Sequence, residues 1–254
     1  MRVHRVGLST MKGARHEERD EVELAASGPV DDRILCVVDV ESRAVLRTVA
    51  NPMLLRTRAH WSDPVLRLEL PGGEVTGELD PGEVLDFDYW GRRPALRLQS
   101  SVHAAALSDL LGLPVRLARV TTPADVVYGA PVTIVTTSDL AELGSRAGVP
   151  DLLGEFARFR ATLTLDDGSD PLPTDATGVR VQVGTATIEL LRPIPRCAVI
   201  DLDPWTGQRN RHLLETLAGY RREAGEIWFG HYARVVSPGR CAAGDRVRLV
   251  DPRE

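Results

Sequence analysis

Turns recur in this chain faster than helices can grow. Pro71-Gly72-Gly73, Asp80-Pro81-Gly82, Asp166-Asp167-Gly168, Ser237-Pro238-Gly239 and Ala243-Gly244-Asp245 combine glycine with proline or a carboxylate, the chemistry of tight turns. Between them lie short apolar or alternating runs. Residues 34–38 form a continuous apolar run, as a fully buried strand does. Residues 65–70 and 179–183 alternate with the period of a half-buried strand. Residues 115–120, 131–136, 186–191, 197–202, 232–236 and 246–250 read as further strands. Many short strands between such turns predict a mainly β fold, a β-barrel or a sandwich, with a few helices.

The helices are few. Residues 102–112 place Ala104, Leu107, Leu110 and Leu111 on one stripe, and residues 210–222 do the same with Leu213, Leu214, Leu217 and Tyr220. A helix opening at Ser138, with Ser138 as its cap, and a short one over 151–157 complete the set. Strands and helices do not alternate regularly, and no Gly-x-Gly-x-x-Gly opens a helix, which excludes a dinucleotide-binding fold. The chain is nearly all strand before a boundary near 96–115 and mixed after it. Two units are expected, 1–100 and 101–254.

Composition removes several classes of function. A net charge of -5 and a pI near 5.7 leave no basic footprint for nucleic acid. No apolar stretch approaches the roughly 20 residues of a membrane helix, and the N-terminus has no apolar segment of signal-peptide type. The three cysteines, Cys36, Cys197 and Cys241, are odd in number and far apart. That argues against a disulfide framework and for a reducing cytoplasm. The six histidines show no zinc spacing, and no Gly-x-Ser-x-Gly elbow is present.

One cysteine has an informative setting. Arg196 directly precedes Cys197, and Asp203-Pro204-Trp205-Thr206-Gly207 follows. A fixed cation beside a thiol favours the thiolate, which is both nucleophile and soft metal ligand. The chain contains a single lysine, Lys12, among 31 Lys and Arg residues. Where arginine is so strongly preferred, a retained point charge suits a site shaped against phosphate. Asp31-Asp32-Arg33 and Arg158-Phe159-Arg160 both lead into strands. Lys12, Arg33, Arg160 and Arg196, if they converge, would make an anion pocket.

These segments together resemble the MOSC family, named for the C-terminal domain of molybdenum-cofactor sulfurases. The family's Tyr-Pro-Val-Lys-Ser is similar to Ser9-Thr10-Met11-Lys12-Gly13, and its Gly-Asp-Arg to Asp31-Asp32-Arg33. Its Arg-Phe-Arg-Pro-Asn resembles residues Arg158-Phe159-Arg160-Ala161-Thr162, and its Cys-Ser-Arg-Cys with Asp-Pro-x-Thr-Gly resembles 194–197 and 203–207. The helix Leu214-Glu215-Thr216-Leu217-Ala218-Gly219-Tyr220-Arg221 and the closing Gly244-Asp245-Arg246-Val247 are also similar. Gly13 and Pro195 replace serines, Asp31 replaces glycine, and Ala161-Thr162 replaces Pro-Asn.

The resemblance implies an N-terminal β-barrel followed by a MOSC β-barrel, and a molybdenum cofactor (molybdopterin). It makes Cys197 the metal ligand. It assigns Lys12, Arg33, Arg160, Arg196 and Thr162 to the cofactor, and places Asp203 near the metal. The implied activity is two-electron reduction of N-hydroxylated or N-oxygenated small molecules, with electrons from a separate redox protein. A sulfur-carrier role, with a persulfide on Cys197, is the alternative; cofactor binding without turnover is a third reading.

Overall fold

In the computed structural model of the chain, residues 1–168, 172 and 176–250 are described. Strands are the commonest element, and three α-helices join them: α1 (His103–Leu111), α2 (Thr137–Ala147) and α3 (Leu213–Ala218). The strand expected over 65–70 and helix α1 fall where the alternation and the apolar stripe put them.

The largest sheet has nine strands. Its centre is the long antiparallel pair Ala186–Pro195 and Glu226–Ser237. Val132–Thr136 continues it antiparallel, and Leu163–Asp166 pairs with Val132–Thr136 in parallel. The first strand of the chain, Arg2–Leu8, lies against Leu163–Asp166. Glu21–Ala25 pairs with Gly239–Ala242. The core of this part is therefore built from both ends of the sequence: Val3 and Val6 pack with Leu163, Ile188, Ala233 and Val247.

A five-stranded sheet runs Asp80–Asp86, Ala95–Ser100, Arg116–Val120, Leu35–Asp39, Ala44–Val45. A three-stranded meander, Arg58–Ser62, Val65–Leu70 and Gly73–Glu78, stands beside it. Leu35, Leu54, Leu66, Leu107 and Leu117 share one core there.

The sheets are open paths, so the closed barrels expected from the sequence are not found among the described residues. The two flanks of the large sheet approach at an isolated bridge between Arg2 and Arg246. Val3 N–H donates to Asp245 O at 2.8 Å there, and Val247 N–H to Met1 O at 3.1 Å.

Three local expectations are corrected. Residues 197–202 form a 3-10 turn, Ala198–Asp201, not a strand. Their apolar Val199 and Ile200 pack under the helices, while the Asp201 carboxylate accepts the Leu214 N–H at 3.0 Å; this folds the backbone inward. Helix α2 is capped by Thr136, whose side chain accepts the Asp139 N–H at 3.2 Å. Ser138 instead donates to Asp167. The periodicity over 210–222 yields only the six residues of α3, because Arg222–Glu223 turns back to pair with Glu226–Ser237.

Candidate anion and thiol site

Two loops are zipped together at the heart of the site. Ser9 N–H donates to Asp32 Oδ1 at 3.0 Å, and Arg33 N–H donates to Ser9 O at 2.7 Å. Lys12 N–H donates to Leu35 O at 2.7 Å, and Leu35 N–H returns to Thr10 O at 3.2 Å. The segment after the first strand is thus pinned to the segment entering Leu35–Asp39. Gly13 explains one departure from the resembling family. It has φ +89°, and a Cβ there would meet Leu54 Cδ1 at 2.8 Å. Serine does not fit this backbone, so glycine holds the loop.

The third cation arrives from the other half of the chain. Arg160 Nη1 donates to Ala14 O at 2.7 Å, and Nη2 to Ser9 Oγ at 2.9 Å. Arg33 is buried and paired with Asp32 at 3.0 Å. Asp31, Arg33 and Arg160 all have positive φ, +62°, +50° and +52°. Such backbone is rare outside glycine and clusters at functional sites. Here it turns two guanidinium groups toward one place.

Convergence is visible in the electrostatics. Burial, then the charges of Arg33 and Arg160, push Lys12 down to about 7. Burial and Arg33 push Arg160 down to about 9. Three cations share the space with one carboxylate, Asp32. Cys197 lies within electrostatic reach of Lys12, Arg160 and Arg196 alike. The thiol is exposed and free, whereas Cys36 and Cys241 are buried, both pushed up to about 12 by burial.

Arg196 is reached through a broken ladder. The pairing of Ala186–Pro195 with Glu226–Ser237 slips around Pro193 and Pro195, which have no N–H to offer it. Arg196 N–H then donates to Ile227 O at 2.8 Å. Its Nε donates to Phe229 O at 2.8 Å and Nη1 to Phe159 O at 3.0 Å. Nη2 is buried with no hydrogen-bond partner among the described residues. Gly230, φ +73°, makes room: a Cβ there would stand 3.2 Å from that Nη2 and 2.3 Å from Ile134 O. Burial pushes Arg196 down to about 10.

Two expected site residues are occupied elsewhere. Thr162 Oγ1 accepts the Thr133 N–H at 3.2 Å, and Thr162 N–H donates to Thr133 Oγ1 at 3.1 Å. It tethers two parallel strands, and the same Thr133 hydroxyl lies 3.4 Å from Arg160 O. Asp203 Oδ1 accepts the N–H groups of Trp205 and Thr206 at 2.9 and 2.8 Å, and Oδ2 accepts from Asn210 at 3.0 Å. Burial works to raise its pKa, yet these donors and the Arg158 charge hold the carboxyl below its usual range. A carboxylate so held organises a turn and is a poor proton donor near neutrality. Arg158, fully buried, clamps the same loop through Leu202 O at 2.6 Å and through Glu155.

Sequence reasoning missed four contributors. Ser9 is the hub of the two loops, and Asp32 neutralises Arg33. Arg15 lies over the Trp205 ring at 4.3 Å. Tyr89 sits under Lys12, with the ammonium 5.0 Å from its ring centroid. The signal for Tyr89 is compositional: Phe87, Tyr89 and Trp90 bring three of the chain's twelve aromatic residues together.

The buried Arg196 Nη2, the lone Lys12 ammonium and the Arg33–Arg160 pair are chemically suited to an oxyanion such as a phosphate ester. Among the described residues no three His, Cys, Asp or Glu side chains group as metal ligands. The MOSC domain model matches residues 100–248. The chain belongs to the MOSC-domain family. Members of this family are associated with the molybdenum cofactor. Solved structures that the chain matches include the YuaD protein from Bacillus subtilis, 13% identical, covering 96% of this chain and 92% of that one, TM-score 0.44. YiiM from Geobacillus stearothermophilus is 20% identical over 48% of this chain and 54% of its own, TM-score 0.36. YiiM from Escherichia coli is 14% identical over the same shares, TM-score 0.33. No curated protein matches the chain.

Proposed function

We infer that this MOSC protein binds a molybdenum–pterin cofactor between residues 1–100 and 101–254 and reduces N-hydroxylated or N-oxygenated small molecules by two electrons, taken from a separate redox protein. The observation that carries the reading is the Ser9 hub, which joins Arg160 to the Asp32–Arg33 pair beside Lys12, with an exposed, free Cys197 thiol in the same chain. Lys12, Arg33, Arg160 and Arg196 would hold the phosphate of the pterin, and Cys197 would supply one thiolate to the metal. When bound, the cofactor supplies the two-electron chemistry together with its own sulfur ligands.

The chain's part is binding and orientation. The Ser9 hub fixes the relative position of Arg33 and Arg160. The 3-10 turn that follows Cys197 is anchored through Arg158 to Leu202 O and would hold the backbone that carries the thiol. The exposure of Cys197 equally suits the second reading, a persulfide carrier.

The test is molybdenum content with pterin fluorescence, on protein expressed in a cofactor-competent host. Stoichiometric molybdenum that Cys197→Ser loses, along with reductase activity, supports the reading. A fully metallated, active Cys197→Ser overturns it. Absence of molybdenum, with an added sulfur on Cys197 after exposure to a cysteine desulfurase, favours the carrier.

A further inference from the structure

Tyr89 is 1% exposed, and its hydroxyl has no hydrogen-bond partner among the described residues. A buried hydroxyl normally finds one. Its surroundings are not those of an apolar core. Lys12 Nζ stands 5.0 Å from the ring centroid and the Arg92 guanidinium 5.1 Å. Charges on Arg33 and Arg92 act on the hydroxyl, and Arg160 in turn responds to it. Burial pushes Tyr89 up to about 12, so the group stays a neutral donor across the physiological range.

The backbone carrying Tyr89 is rigidly held at some strain. Tyr89 and Arg92 form a bridge, with Tyr89 N–H donating to Arg92 O at 2.9 Å and Arg92 N–H returning at 3.2 Å. The two residues between them, Trp90 and Gly91, have φ +55° and +76°. Glycine suits this turn; tryptophan at positive φ is an outlier. Asp88 secures the turn by accepting the Gly91 N–H at 3.1 Å and donating its own N–H to Arg43 O at 2.6 Å. Arg92 Nη2 ties it to Val127 O at 2.7 Å. The strain is local, and it holds a buried, unpartnered phenol whose ring lies against Lys12 and Arg92.

We propose that Tyr89 is a further anion-binding residue of this site, its hydroxyl donating to a bound phosphate-type dianion alongside Lys12, Arg33 and Arg160. The charge balance selects the class. Three cations against the single Asp32 carboxylate leave two positive charges, the complement of a phosphate monoester or sulfate dianion. The tyrosine adds a hydrogen bond to the anion without adding charge. The inference rests on reading the cluster as an anion site.

The experiment is titration of the full chain with sulfate at constant ionic strength, followed by calorimetry and by the shift in thermal midpoint. Tyr89→Phe keeps the ring beneath Lys12 and removes only the hydroxyl. Sulfate should bind it about tenfold or more weakly, as expected for losing a hydrogen bond to a charged group. Its midpoint without sulfate should hold or rise. Affinity within twofold of the parent overturns the proposal. So does a lower midpoint without sulfate, which would mean the hydroxyl is already partnered in the free protein. Lys12→Met separates the two levels of the argument. If it loses sulfate binding while Tyr89→Phe does not, only the tyrosine assignment fails. If sulfate binds neither the parent nor the variants above nitrate, the anion site fails, and the cofactor reading with it.

Discussion

Lys12 pulls stability and binding in opposite directions. Burial, Arg33 and Arg160 lower its pKa from 10.5 to about 7 in the folded chain. Between those values the unfolded chain binds a proton the folded one does not. The stability contribution of this group therefore rises with pH from about 7 toward 10.5, and its cost is fully present below 7. A bound dianion reverses the preference, because it favours the ammonium. Sulfate, dianionic throughout, should raise the thermal midpoint more at pH 6 than at pH 9, as a melting series at both pH values would read. Lys12→Met should raise the midpoint of the free protein near pH 6, by about 2–4 °C for each kcal/mol of relieved charge burial, and should abolish the sulfate response. Gly13→Ala should lower the midpoint, at a cost of roughly 1–3 kcal/mol, from its positive φ and the contact with Leu54. Denaturant melts would measure it. The four cations were legible because basic residues at strand entries stand out along an otherwise apolar and polar pattern. Tyr89 was not, because a buried tyrosine and a core tyrosine look alike until the hydroxyl is seen without a partner.

At the scale of elements, alternation and turns located strands well, and they failed where polar side chains decided the backbone. Residues 65–70 are bounded by turns and pair on both sides, and the expected and observed limits coincide. Residues 197–202 have the same apolar look, yet Asp201 and the adjoining Asp203 accept the backbone N–H groups of Leu214, Trp205 and Thr206, all beyond the segment. No alternation rule contains those bonds. The Asp203 loop is the element that most needs testing, since the carboxylate was expected near the chemistry and stands as the organiser of its own turn. Asp203→Ala removes acceptors for Trp205, Thr206 and Asn210 and should destabilise the protein by about 1–3 kcal/mol. Asp203→Asn keeps an oxygen for the two backbone donors and should cost less than about 1 kcal/mol. Chemical denaturation of the two variants measures the contrast. Equal losses would mean that charge rather than turn geometry is what Asp203 supplies, through its 3.9 Å approach to Arg158.

The whole molecule is held together across the position where composition changes. The expected division at residue 100 follows the mix of elements, but strand pairing is not visible in composition. Arg2–Leu8 lies on Leu163–Asp166, Glu21–Ala25 on Gly239–Ala242, and Arg116–Val120 on both Ala95–Ser100 and Leu35–Asp39. The site follows the same plan: Lys12 and Arg33 come from one side of residue 100, Arg160, Arg196 and Cys197 from the other. Arg160 bridges them through Ser9 and Ala14. The family match begins at residue 100 and so leaves out strands that complete the sheet carrying Cys197. A chain of residues 101–254 alone would expose the unpaired edge of Leu163–Asp166 and the apolar side chains that Val3 and Val6 cover. Exposed edges of that kind associate. This fragment should aggregate or lack a cooperative melt, and co-expression with residues 1–100 should recover soluble complex. The full chain should melt in one transition, by calorimetry, because each half holds strands the other needs. A soluble, cooperatively melting 101–254 fragment would show instead that the first strands are an addition to a unit complete without them. The anion site would then be assembled only after two independent folding events.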